Sequence, residues 1–152
     1  MKKIAILMGS ETDRETVMSA VPYFDYFGLE WELRILSAHR NPEEVTQFSQ
    51  TARQNGFGVI IGTAGMAAHL AGAIKAHTTL PVIGVPLAGG ILDGMDALLS
   101  TVQMPKGVPV ATFAVGKTGI INAVIFAAEI FALSDDSLAL KLKQFKAAGC
   151  TI

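Results

Sequence analysis

A single cysteine in 152 residues, Cys150, excludes an internal disulfide and a cysteine metal cluster. A reactive cysteine needs a specific electropositive setting, and Cys150, two residues from the end, reads as an inert terminal thiol. Charge is also scarce. Asp, Glu, Lys and Arg make up 16% of the chain, where soluble domains average roughly 25%. The net charge is −1 and no basic cluster occurs, which argues against nucleic acid as the main partner. Long apolar runs are missing too. Residues 4–8 fall short of the roughly 7–15 apolar residues of a signal core. The stretch 120–133 is interrupted by Asn122 and Glu129 and is shorter than the about 20 residues that span a bilayer. A soluble, cytoplasmic protein is expected, in one domain over residues 1–152, with no internal repeat or linker. Gly-x-x-x-x-Gly-Lys-Ser/Thr and Gly-x-Gly-x-x-Gly are both absent, so ATP and dinucleotides are not expected ligands.

What the chain has in quantity is apolar residue: 51%, with mean hydropathy +0.44. So much apolar surface on so small a domain predicts burial between subunits. The helix over 119–133 carries this furthest. Ile120, Ile121, Val124, Ile125, Phe126, Ile130 and Phe131 leave it no polar face, as in a helix buried on every side. The alternative is a core helix within a single subunit.

Short apolar runs alternate with helical patterns. Strands are predicted over 3–8, 31–36, 59–62, 81–85 and 108–113. Helices are predicted over 13–27, 42–54, 67–76, 92–102, 119–133 and 136–148. Pro22 should kink or shorten the first, and Gly28 should close it. Asn41-Pro42-Glu43-Glu44 reads as a capping side chain, a proline at the first helical position and acids in the first turn. Ser134-Asp135-Asp136 caps the last helix. Strands separated by helices imply βαβ units: an α/β, three-layer, doubly wound parallel sheet of five main strands, flavodoxin-like. Its switch point lies between the first and third strands.

Loops leaving the carboxyl ends of such strands share one edge, and ligands bind there. The first loop is Gly9-Ser10-Glu11-Thr12-Asp13. Gly9 admits a tight turn and a close ligand. Ser10 and Thr12 offer hydroxyls, and Asp13 can accept from sugar hydroxyls. The set suits a ribose phosphate, though Thr12 or Asp13 would also serve as a plain helix cap. The second loop is Ser37-Ala38-His39-Arg40. Arg40 offers a planar fork for phosphate, Ser37 a hydroxyl, and His39 a group that gives and takes protons near neutral pH. The third, residues 62–70, is lined by small residues including Gly65, and its backbone can lie against a flat ligand. His69 and Leu70 follow in it; on sequence alone His69 is as readily a solvent-facing helix residue. His77 reads as a surface residue at a helix end. The fourth loop carries Gly89-Gly90, flexible enough for a flap.

Six segments, in this order and spacing, carry a resemblance: Met8-Gly9-Ser10-x-x-Asp13, Ser37-Ala38-His39-Arg40, Ala67-Ala68-His69-Leu70, Leu80-Pro81-Val82-Ile83-Gly84-Val85-Pro86, Val102-Gln103-Met104-Pro105 and Val108-Pro109-Val110-Ala111-Thr112. Along essentially its whole length the chain resembles the class I carboxyaminoimidazole ribonucleotide mutases of bacterial purine biosynthesis. The resemblance implies an isomerase that moves a carboxylate from the exocyclic nitrogen of an aminoimidazole ribonucleotide to the adjacent ring carbon. It implies no ATP, biotin or metal, and no other cofactor. It implies that Ser10, Asp13 and Arg40 bind the ribose phosphate, with Gly9, Thr12, Ser37, Gly65 and Leu70 around the substrate. His39 would be the acid–base and His69 a second catalytic residue, in a typically octameric assembly. Thr12 stands where serine is common, Met66 at a usually glycine position beside the ring, and Ala71 at a common proline. Class II relatives use carbon dioxide and the uncarboxylated ribonucleotide directly; they tend to carry lysine where Arg40 stands and lack Ala67-Ala68-His69-Leu70. A non-catalytic nucleotide-phosphate binding module on the same fold is the alternative from another class.

Overall fold

The computed structural model describes residues 2–152. Strand β1, Lys3–Met8, is buried from Ile4 onward, as a central strand covered on both faces must be. A 3-10 turn over Glu11–Asp13 leads into helices α1, Arg14–Met18, and α2, Val21–Phe27. The single helix expected over 13–27 is therefore two. The break falls just before Pro22, whose nitrogen has no proton to donate into a preceding turn. Gly28 closes α2 in the left-handed region, φ 69°. Then follow β2 Trp31–Ile35, α3 Pro42–Thr51, β3 Phe57–Ala64, α4 Leu70–Lys75, β4 Val82–Pro86, α5 Met95–Val102, β5 Ala111–Thr112, α6 Lys117–Ala132 and α7 Asp136–Ala147.

Every strand pairing is parallel, in the order β2-β1-β3-β4-β5. This is the doubly wound, flavodoxin-like sheet expected from the alternation of elements. The chain leaves β1 to one side and β3 to the other, so their carboxyl ends part and open a crevice. Alternate residues of β1 feed two cores. Ile4, Ile6 and Met8 pack with Val17, Phe24, Val124 and Phe145 under α1, α2, α6 and α7. Ala5 and Leu7 pack with Val45 and Phe48 of α3 and with Leu70 and Ile74 of α4. Helices on both faces complete three layers.

Further elements differ from expectation. β5 is two residues, not six; Pro109 cannot donate to a ladder, and Val108 donates instead to the Pro105 carbonyl at 3.2 Å. α4 begins three residues late, because Met66 has φ 55° and residues 67–69 are irregular. α5 also starts late: Leu92 and Asp93 are left-handed, and Gly94 has φ 109°. Asn41 stands at the N-cap of α3, but its side chain turns away from the helix; its Oδ1 accepts from the Ser37 N–H at 3.3 Å. At α7 the expected cap is in place, with Asp135 accepting from the Leu138 N–H at 3.1 Å.

Helix α6 is not buried on every side within the chain. Ile120, Ala123, Val124, Ala127 and Ala128 face the sheet, α1, α2 and α7, while Asn122 and Phe126 are exposed. On the other face, α4 and α5 approach the sheet closely where side chains are absent. A Cβ at Gly84 would lie 2.5 Å from Thr101 Cγ2 and 2.9 Å from Val110 Cγ1. Gly84→Ala should therefore overpack this seam and cost about 1–3 kcal/mol, read as a lower Tm in calorimetry. An unchanged Tm would mean that α5 lifts away freely.

Candidate active site

The three loops at the crevice gather the ten residues singled out in sequence. Gly9, Ser10, Thr12, Asp13, Ser37, His39, Arg40, Gly65, His69 and Leu70 all line one cleft of about 510 Å³. Small residues not singled out, Ala38, Ala64 and Ala88, complete its wall.

In the first loop the capping residue is Ser10, neither Thr12 nor Asp13. Ser10 is extended (φ −151°), and its Oγ accepts from the Thr12 N–H at 3.3 Å and from the Thr12 hydroxyl at 2.9 Å. Asp13 precedes α1 without a side-chain capping bond, which leaves its carboxylate to the cleft. Partial burial raises its pKa above that of a free aspartate, partly offset by hydrogen bonding from the Ser10 backbone and the Thr12 side chain. A folded pKa above the unfolded one means the fold binds the proton more tightly. Stability then falls as pH rises from the unfolded value through the folded one. Asp13→Asn should accordingly raise the Tm of the ligand-free protein at pH 7. It should also weaken ligand binding by about 10–100-fold, since hydrogen bonds to a charged group are worth about 1.5–3 kcal/mol. Thermal scanning with and without ligand checks both.

The second loop is a tight turn. Ser37 Oγ accepts from the Arg40 N–H at 3.2 Å, and the Asn41 N–H donates to the Ser37 carbonyl at 2.8 Å. The Ser37 hydroxyl proton remains free for a ligand. The turn projects His39 and Arg40, both exposed. Among the described residues the Arg40 guanidinium makes no ion pair, although the first loop carries the carboxylates of Glu11 and Asp13. Glu11 and Arg14 satisfy each other instead.

The third loop brings His69 to the N-cap of α4. There His69 Nδ1 lies 2.7 Å from His39 Nε2, with the rings perpendicular at 89°. One ring donates and the other accepts. The outer nitrogens, His39 Nδ1 and His69 Nε2, are then the ends of a two-ring unit. Sequence placed both histidines on this edge but not against each other. Leu70 is 2% exposed and forms the foot of the cleft with its side chain in the core. Exposed Met66 stands at the rim. Among the described residues no three His, Cys, Asp or Glu side chains gather to hold a metal ion, and no helix is long and apolar enough to cross a membrane.

Residues 3–150 match the family described as AIR carboxylase. The N5-carboxyaminoimidazole ribonucleotide mutase of Bacillus subtilis is 49% identical over 93% of this chain and 87% of its own length. That of Brucella melitensis is 46% identical over 95% of this chain and 90% of its own. The crystal structure of Treponema denticola PurE superposes with a TM-score of 0.86 at 27% identity, covering 97% of this chain and 90% of that one. A match that runs through all five strands and all three loops of the cleft places the chain in the AIR carboxylase family.

Proposed function

We propose that this protein is an isomerase of purine biosynthesis that converts N5-carboxyaminoimidazole ribonucleotide to 4-carboxy-5-aminoimidazole ribonucleotide. The observation that carries the mechanism is the imidazole pair, His39 against His69 at 2.7 Å, in a cleft that also holds phosphate-binding groups. Arg40 takes the phosphate with its planar fork, Ser10, Thr12 and Ser37 supply hydroxyls, and Asp13 accepts from the ribose hydroxyls. Gly9 and Gly65 let the backbone approach the ligand.

Protonated His39 gives its proton to the exocyclic nitrogen as the N–carboxyl bond breaks. Carbon dioxide and a neutral amine result, and the amine makes the adjacent ring carbon nucleophilic. The ring carbon attacks the carbon dioxide, which the small side chains of Ala38, Ala64 and Ala88 confine. Neutral His39 then takes the proton from that ring carbon, restoring aromaticity and its own charge. His69 holds the His39 ring in orientation and completes the proton path. Keeping both fragments in one cleft makes the second step effectively unimolecular.

A homo-octamer in the cytoplasm is part of this proposal. Exposed Ile91, Leu92, Met95, Leu99 and Val102 supply apolar surface for subunits to bury. Light scattering should give eight times the 16.0 kDa chain; a monomer would contradict it. The function itself is tested by supplying the N5-carboxylated ribonucleotide without ATP or bicarbonate and following the carbon-carboxylated isomer by absorbance. Rapid isomerisation is expected. Product formed only from aminoimidazole ribonucleotide plus bicarbonate would mean the class II reaction, and binding without product would mean a binding module.

A further inference from the structure

Two loops of the cleft are tied to one face of α5 by side chains four residues apart. Asp96 Oδ2 accepts from the Ile91 N–H at 3.0 Å, and its Oδ1 accepts from the Ala97 N–H at 2.8 Å. One turn on, Ser100 Oγ accepts from the Ala68 N–H at 2.9 Å and donates to the Asp96 carbonyl at 2.7 Å. Neither side chain lines the cleft itself; both border the adjoining hollow behind Met66 and Ile91.

The fit of each tie is specific. Ala68 is 2% exposed, so its amide has little access to water and depends on the Ser100 hydroxyl. A Cβ at Gly90 would fall 2.1 Å from Asp96 Oδ2, so glycine is what lets this loop close on the carboxylate. Leu92 and Asp93 follow with φ of 48° and 53°, a backbone that non-glycine residues hold only when their surroundings impose it. Each tie also ends beside a functional group. Ala68 precedes His69, and Ile91 follows the Ala88-Gly89 wall of the cleft.

We propose that Asp96 and Ser100 are positioning residues. Through the Ala68 amide, Ser100 sets the reach of His69 to His39. Through the Ile91 amide, Asp96 sets the wall that Ala88 and Gly89 present to the substrate. This deepens the isomerase reading and rests on it.

Ser100→Ala is the primary variant and Ser100→Thr the rescue. Thr101→Ala is the control, because its hydroxyl bonds the Ala97 carbonyl inside α5 at 2.7 Å and touches neither loop. The first readout needs no substrate. The chain has three histidines, and exposed His77, at the end of α4, is an internal reference for imidazole nitrogen chemical shifts. In the unaltered protein and in Thr101→Ala, His39 Nε2 and His69 Nδ1 should carry the shifts of a hydrogen-bonded pair. In Ser100→Ala they should move toward the values of His77, and Ser100→Thr should restore them. The second readout is kinetic. Ser100→Ala should lower kcat by about 10–100-fold with KM nearly unchanged, the size expected for a displacement of about 1 Å. Asp96→Ala should instead raise KM, and Asp96→Asn, which keeps one acceptor oxygen, should recover most of it. Unchanged imidazole shifts in Ser100→Ala, or equal changes in Thr101→Ala, would overturn the proposal. Absence of isomerase activity in the unaltered protein would overturn the functional reading instead, with the nitrogen spectrum still deciding this one.

Discussion

Replacing His39 with asparagine should lower turnover by about 10²–10⁴-fold, the usual worth of a positioned acid–base group, while leaving the affinity for the ribonucleotide nearly intact. Asparagine keeps a planar polar group near the His69 ring but cannot give and take a proton at neutral pH. The proposed reaction needs both. One proton goes to the exocyclic nitrogen as carbon dioxide leaves, and another returns from the ring carbon. The groups assigned to binding belong to other side chains, Ser10, Asp13 and Arg40, held by the cap at Ser10 and the turn at Ser37. Those contacts do not pass through the imidazole. Calorimetric titration with the product and single-turnover kinetics separate the two quantities. Retained turnover would remove His39 from the chemistry, and lost affinity with normal turnover would make it a binding group.

Arg40→Ala should raise KM by about 10²–10⁴-fold and leave kcat within a few-fold. Hydrogen bonds to charged groups are worth about 1.5–3 kcal/mol, and a fork that makes two of them to one phosphate loses both. The guanidinium has no ion-pair partner among the described residues, so no carboxylate is left uncompensated when it goes. The protein should fold normally. Arg40→Lys should recover part of the loss, since an ammonium supplies the charge without the planar fork. Because Arg40 is exposed, KM of the unaltered enzyme should also rise with ionic strength, and that dependence should weaken in Arg40→Ala. A KM that ignores both substitutions would place the phosphate elsewhere.

The strand order and the shared edge of the loops were legible because each rests on local signals. Apolar runs between helical patterns dictate parallel pairing. Pro22, Gly28, Pro42 and Asp135 mark helix ends by their own backbone chemistry. What was not legible depends on pairs far apart in sequence or on backbone that residue type does not announce. The His39–His69 contact joins residues 30 apart, and the Ser100–Ala68 bond joins residues 32 apart. Leu92 and Asp93 look like helix formers on an apolar periodicity, yet they lie in left-handed backbone. Asn41 has the right type and place for a cap, but its oxygen is taken by the Ser37 amide. Pro109 did carry the signal for a short last strand, which the apolar run around it hid. The apolar surface of α6 was visible in composition; that its own sheet and the neighbouring α1, α2 and α7 cover much of it was not.

Capture of the released carbon dioxide within the cleft is tested by following one atom. N5-carboxyaminoimidazole ribonucleotide labelled with ¹³C in its carboxyl group is given to the enzyme in unlabelled bicarbonate, and the isomer is analysed by mass spectrometry before equilibrium. The product should keep the label, because the carbon dioxide released beside His39 is captured by the ring carbon before it escapes the cleft. Product carrying the isotopic composition of the bicarbonate would contradict that capture, and would show an enzyme that draws its carbon dioxide from solution.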